Sequence, residues 1–155
     1  MLQAGQTAPD FSSTNQHEQT VKLSDYKDRN NVVLYFYPKD DTPGCTIEAN
    51  DFTRFSADFA AHDTVIIGVS RDNCESHRAF IDKFGLTVEL LADTDGTVCE
   101  DYGVWQEKEK NGVKNMGIVR STFVIDKNGV LAEAIYGVDP NGHAEAMLEV
   151  VKNIG

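Results

Sequence analysis

Two short apolar runs constrain this chain more than any other feature: residues 32–37, Val-Val-Leu-Tyr-Phe-Tyr, and residues 65–69, Val-Ile-Ile-Gly-Val. A run without polar alternation reads as a strand covered on both faces, and such strands belong to sheets with helices packed against them. The segment between the runs must supply a crossover. After Cys45, residues Ala49, Phe52, Phe55 and Phe59 recur at spacings of three and four, which predicts a helix with one apolar stripe. Strand, helix, strand in this order is a parallel pair joined by a crossover.

The rest of the chain extends that unit. A second helix is expected with Asp72 as N-cap, Glu75 completing a capping box and Gly85 as its stop; its stripe is Cys74, His77, Ile81 and Phe84. Residues 88–91 read as a short strand, and Asp95-Gly96 precedes a short helical stretch through Cys99. Residues 122–125 and 130–136 flank Asp126-Lys127-Asn128-Gly129, a strong hairpin signal. Met147, Val150, Val151 and Ile154 mark an amphipathic helix at the C-terminus. Near the N-terminus, residues 11–14 and 20–23 read as a hairpin around the polar turn Asn15-Gln16-His17-Glu18. The expected fold is α/β and thioredoxin-like: a central mixed β-sheet flanked by helices on both faces, with an N-terminal β-hairpin. No repeat or linker divides residues 1–155, so one domain is expected.

Charge and cysteine usage narrow the functions. Lys and Arg number 14 against 25 Asp and Glu, a net charge of −11, which argues against nucleic acid and against an anionic membrane surface. Residues 1–9 lack the basic and apolar regions of a secretory signal, and the longest apolar run is far too short to cross a bilayer. A soluble, cytoplasmic protein is expected. The three cysteines, Cys45, Cys74 and Cys99, are widely spaced and form no Cys-x-x-Cys. A disulfide framework, a dithiol motif and a zinc ribbon therefore have no starting point. Cys74-x-x-His77 could be half a metal site, but His17, His62 and His143 offer no complementary spacing. Neither a metal nor a cofactor is expected.

The chemically informative stretch is residues 38–48, Pro-Lys-Asp-Asp-Thr-Pro-Gly-Cys-Thr-Ile-Glu. It follows the first buried strand, at the carboxyl end where ligands bind in open α/β sheets. Thr42 is a good N-cap and Pro43 suits the first helical position, which puts Cys45 at the third. There a sulfur meets the unpaired N–H groups of the first turn and the positive end of the helix dipole. An ordinary thiol of pKa about 8.5 is only a few per cent thiolate at neutral pH, and the thiolate is the nucleophile. A helix N-terminus supplies about 0.3–1 kcal/mol, up to about 2 when partly buried, against about 1.36 kcal/mol per pKa unit. A nearby cation is needed as well. Arg120, opening the apolar strand that follows it, is the candidate in the second half, although a lone Arg leading into a strand is usually a surface residue.

These residues resemble the peroxiredoxins, most closely the subgroup called bacterioferritin comigratory protein or peroxiredoxin Q. Pro38-x-x-x-Thr42-x-x-Cys45 matches the family's active-site signature, and residues 35–39 and 42–46 match its subgroup form. Ala8-Pro9-Asp10-Phe11 matches the family's opening, residues 99–105 its later helix and loop, and residues 120–126 the strand with the second active-site residue. The resemblance implies a thiol peroxidase. In it Cys45 is the peroxidatic thiolate, Arg120 stabilises it and orients the peroxide, and Pro38 shields the sulfur from water. The Thr42 hydroxyl and the Cys45 N–H hydrogen-bond the peroxide oxygens. Glu48 aligns with a family glutamate that pairs with active-site groups, and Trp105 reads as a pocket wall or core aromatic. The implied partners are a hydroperoxide and, as reductant, thioredoxin or glutathione/glutaredoxin, acting on a monomer.

One departure stands out. The two positions where relatives carry a resolving cysteine hold Asn50 and Ile81 here. This implies a one-cysteine cycle, reduced by an external thiol, with Cys74 as the internal alternative. The blander reading of Cys74 is a half-buried hydrophobe near a helix start, and Cys99 reads as core packing. Asp40 and Asp41 are expected to be solvated loop carboxylates. Two other functions compete with the peroxidase: a thiol–disulfide oxidoreductase, which lacks its Cys-x-x-Cys, and a non-enzymatic peroxide sensor or binding module on the same fold.

Overall fold

Alternation along the buried strands sorts their side chains into two cores. In the computed structural model, which describes residues 1–154, strand β3 (Asn31–Phe36) turns Val32, Leu34 and Phe36 to one face and Val33 and Tyr35 to the other. Strand β4 (Thr64–Ser70) runs parallel to β3, continuing the first face with Ile67 and Val69. Strand β5 (Glu89–Ala92) pairs parallel with β4. Strand β8 (Ser121–Ile125) pairs antiparallel with β3, and β9 (Leu131–Tyr136) antiparallel with β8. The five-stranded order is β5-β4-β3-β8-β9, the expected mixed sheet.

The two faces are covered unequally. Helices α1 (Pro43–Arg54), α2 (Ser56–Ala60), α3 (Cys74–Phe84) and α5 (His143–Asn153) bury Phe52, Phe59, Phe80 and Met147 in one core. The other core is closed by α4 (Thr97–Asp101) and by Ala8, Phe11, Val21 and Leu23 of the N-terminal segment. The N-terminal hairpin forms as expected, β1 (Ser12–Thr14) against β2 (Thr20–Lys22). Among the described residues, no helix is long and apolar enough to cross a membrane.

Three local features differ from the sequence expectation. The helix after Cys45 breaks at Phe55 (φ −96°, ψ 9°), so its apolar stripe is shared between α1 and α2. Helix α3 is capped by Asn73, whose Oδ1 accepts from the Ser76 N–H at 2.8 Å; Asp72 lies one residue too early to cap. Its carboxylate instead accepts from the Asp40 N–H and the Ser70 hydroxyl. A further hairpin, β6 (Trp105–Lys110) against β7 (Val113–Ile118), has no counterpart in the sequence reading. Its turn, Asn111-Gly112, has positive φ at both residues, 55° and 78°, the conformation an Asn-Gly hairpin turn requires. Most of this arm is exposed, so no apolar alternation announces it.

Candidate active site

The sheet register brings two distant segments together. Phe36 pairs with Ser121 across antiparallel strands, so Arg120, one residue earlier, stands at the carboxyl end of β3. From that end the chain turns through residues 38–42 into α1, with Thr42 extended (φ −105°, ψ 156°) at the N-cap and Pro43 opening the helix. Cys45 thus occupies the third helical position and is 1% exposed. The Thr42 hydroxyl does not cap the helix; it donates to the Lys39 carbonyl at 2.9 Å and so tightens the turn.

Arg120 ties the site together with its planar fork. Nη2 donates to Cys45 Sγ at 3.3 Å and Nη1 to Glu48 Oε1 at 2.8 Å. The Arg120 side chain is 15% exposed and that of Glu48 fully covered, so the guanidinium reaches solvent while its carboxylate partner does not. Gly44 allows this approach: a Cβ there would stand 3.1 Å from Arg120 Nη2 and 3.4 Å from Pro140 Cγ. His143, which opens α5, directs Nε2 to the Thr122 hydroxyl at 2.7 Å. Burial, then the charge of Arg120, lowers its pKa to about 4, so it is neutral at pH 7 and Arg120 is left without a competing imidazolium.

Glu48 is the buried acid of the site. Burial pushes its pKa up to about 7, although Arg120 pulls it down, and its Oε2 has no hydrogen-bond partner. Burial also works against the Arg120 charge, but Glu48 and the Cys45 sulfur more than offset it, and the Arg120 pKa is raised. One guanidinium therefore serves a sulfur and a carboxyl that is neutral part of the time near pH 7, which leaves its charge for the sulfur. The folded protein holds the Glu48 proton more tightly than the unfolded chain does. Its stabilising contribution is thus full below about pH 4.5 and lost as the pH rises through about 7. Relative to Glu48→Gln, wild-type Tm should fall by several degrees between about pH 5 and about pH 8. His143 titrates in both proteins and cancels. Parallel Tm curves for the two proteins would contradict the assignment.

The remaining sequence candidates line two cavities or lie in the opposite core. Pro38 is half-buried and, with Trp105, Arg71, Met116 and Ile118, lines a cavity of about 390 Å³. Trp105 is a wall of that cavity, and Arg71 stacks over its ring at 4.5 Å. Cys74 is half-buried, lines a different cavity with Asn73, Glu75 and Arg78, and donates its thiol to the Asn15 carbonyl at 3.2 Å. Cys99 is a core residue, its thiol pKa driven far up by burial and then by Asp93. All three cysteines are free. One expectation fails: Asp40 is not solvated but 7% exposed, because Tyr37, Ser76 and His77 all hydrogen-bond its carboxyl group. Asp41 is exposed and pairs with Lys83 at 2.8 Å.

Residues 4–134 match the model of the AhpC/TSA family. The chain belongs to this family of peroxiredoxins. It is 46% identical over 153 residues to peroxiredoxin Bcp of Bacillus subtilis, covering 99% of this chain and 97% of that one. A Cys-to-Ser variant of Xylella fastidiosa PrxQ superposes with a TM-score of 0.92 at 35% identity, over 98% of this chain and 96% of its own. The Xanthomonas campestris bacterioferritin comigratory protein, described for its alkyl peroxide reduction activity, superposes with a TM-score of 0.87 at 35% identity, over 92% and 90% of the two chains. This peroxiredoxin is accordingly of the Bcp or PrxQ subgroup, has the thioredoxin-like fold, and is a thiol-dependent peroxidase. The sensor alternative is not favoured.

Proposed function

We propose that Cys45 is the peroxidatic residue, that Arg120, Thr42 and Pro38 complete the reacting site, and that Glu48 holds Arg120 in place. The observation that carries this reading is the Arg120 fork shared between Cys45 Sγ and Glu48 Oε1. The thiolate attacks the terminal oxygen of a hydroperoxide in line with the O–O bond. An S–O bond forms as the O–O bond breaks, the attacked oxygen keeps its hydrogen, and Cys45 becomes a sulfenic acid. The leaving oxygen takes the electron pair, then a proton from solvent, and departs as water or an alcohol. Arg120 stabilises charge moving onto that oxygen. Because the Thr42 hydroxyl spends its hydrogen on Lys39, its oxygen is free to accept the peroxide O–H. Pro38, on the turn before the helix, limits water at the sulfur.

Recycling proceeds through an external thiol, thioredoxin or glutathione with glutaredoxin. That thiol displaces water from the sulfenic acid to give a mixed disulfide, and a second thiol releases Cys45. Asn50 and Ile81 at the relatives' resolving positions support this route, as does the engagement of Cys74 with the Asn15 carbonyl in its own cavity. The protein works as a monomer in a reducing compartment, the cytoplasm. Its exposed large hydrophobics among the described residues are few, Met1, Ile47 and the pair Val113 and Met116 on β7, and its thiols are unpaired.

The test is hydroperoxide consumption with the thioredoxin system and with glutathione plus glutaredoxin, for the wild type and Cys74→Ser. Turnover should persist in the variant. If stoichiometric peroxide gives a Cys45–Cys74 disulfide in the wild type and the variant loses turnover with thioredoxin, the one-cysteine cycle is wrong.

A further inference from the structure

Behind the peroxide site lies a buried polar knot that the chemistry above does not use. Asp40 sits in the turn that leads to Thr42, and its side chain is 4% exposed; that of His77 in α3 is fully covered. Tyr37 donates its hydroxyl to Asp40 Oδ1 at 2.6 Å, and Ser76 donates its own to Oδ2 at 2.8 Å. His77 Nδ1 meets the same Oδ2 at 2.7 Å, while Nε2 meets the Leu91 carbonyl on β5 at 2.9 Å. A carbonyl only accepts, so Nε2 carries a hydrogen, and one further proton lies between Nδ1 and the carboxyl oxygen. Asp40, Asp72 and His77 present ligand atoms within 4.8 Å of one another. Oδ2 of Asp72 already accepts from the Asp40 N–H and the Ser70 hydroxyl, so hydrogen bonds account for the cluster without a metal.

The knot joins the elements that carry two of the cysteines. Asp40 stands two residues before the N-cap of the Cys45 helix, and Cys74 opens the turn of α3 that bears Ser76 and His77. Packed rings continue the connection toward α1: Tyr37 lies 5.6 Å from Tyr35, and Tyr35 stacks on Phe52 at 4.7 Å. Gly68 makes room for the Tyr35 ring, since a Cβ there would stand 2.7 Å from it. Burying a carboxyl and an imidazole is costly unless both are bonded, so losing one link makes the packed form locally less favourable. Local opening is the alternative, and both cysteines sit in first turns, where opening costs least.

We propose that Asp40 and His77 are positioning residues that pin the Thr42 turn to the Cys74 helix, favouring peroxide attack at Cys45 while restraining the opening that lets its sulfenic acid meet a thiol. The inference rests on Cys45 being the peroxidatic residue. Loosening the pin should therefore change the two half-reactions in opposite directions, which a loss of active protein would not do.

Two substitutions separate the links. His77→Asn keeps a donor near the Nδ1 position, facing Asp40; His77→Gln keeps one near Nε2, facing Leu91. Single-turnover mixing with hydrogen peroxide should show Cys45 oxidation slowed about tenfold in His77→Gln. Reduction of its sulfenic acid by a small thiol, and labelling of Cys74 by a maleimide, should both be faster. His77→Asn, which keeps the link to Asp40 and loses only the one to Leu91, should shift all three in the same directions but much less. Should His77→Gln fail to fold, Ser76→Ala removes one bond to Asp40 from a half-buried position and should shift the rates in the same directions, less far. Unchanged oxidation in a folded His77→Gln or Ser76→Ala protein, or equal effects of Asn and Gln, would overturn the pin while leaving the peroxidase reading intact. If wild-type Cys45 is not oxidised at all, both readings fall.

Discussion

Cys45→Ser should abolish thiol-dependent peroxide reduction, lowering kcat/KM for hydroperoxide by about a thousandfold or more. A serine hydroxyl at the same helical position is a far weaker nucleophile than a thiolate, and neither the helix terminus nor one guanidinium supplies enough energy to ionise it. The fold should survive, because the hydroxyl is smaller than the thiol and can still accept from Arg120 Nη2 in its place. Circular dichroism with initial rates of hydroperoxide loss would check both halves of the expectation. Cys99→Ser should retain most of the activity, since that thiol lies in the opposite core and burial keeps it protonated.

The second large effect is expected at Arg120. Arg120→Ala should lower kcat/KM by about 100- to 1000-fold, the usual loss when a preorganised donor to developing charge is removed. The fold should tolerate the change better than the loss of a buried charge partner suggests. Glu48, with a pKa already near 7, can escape by holding its proton. Arg120→Lys should recover only part of the activity. An ammonium is a point charge and cannot reproduce the two-pronged geometry that reaches Cys45 at 3.3 Å and Glu48 at 2.8 Å. Equal rates for Arg120→Lys and wild type would assign Arg120 a purely electrostatic role.

Much of this was legible in the sequence because it depends on local pattern. The run at 32–37 could only be a covered strand, and β3 lies at the centre of the sheet. Thr42-Pro43 marked the helix start, which fixed Cys45 at the third position. Arg120 was visible through a family resemblance, which also implied that Glu48 pairs with an active-site group; that the partner is Arg120 was not legible, because it depends on the antiparallel register of β8 on β3. The Asp40–His77 knot was hidden for the same reason. Two adjacent acids in a loop read as solvated, and only the tertiary arrangement separates them, burying Asp40 under α3 and leaving Asp41 outside. The available signal was His77, a polar side chain on the apolar stripe of α3 close to Phe80 and Phe84. The β6–β7 arm escaped because its exposed strands lack the apolar alternation used to find the others, although Asn111-Gly112 marks its turn. Cap choice at α3 turned on one residue, Asn73 against Asp72, a distinction that pattern reading resolves poorly.

The site of first oxidation decides whether Cys45 is the peroxidatic residue. Reduced protein is mixed with one equivalent of hydroperoxide in the presence of a dimedone-type trap, then digested and mapped by mass. The sulfenic adduct should form on Cys45, with Cys74 and Cys99 recovered as thiols, and should be lost in Cys45→Ser without transfer elsewhere. An adduct first formed on Cys74 or Cys99, with Cys45 unmodified, would contradict the peroxidatic role of Cys45.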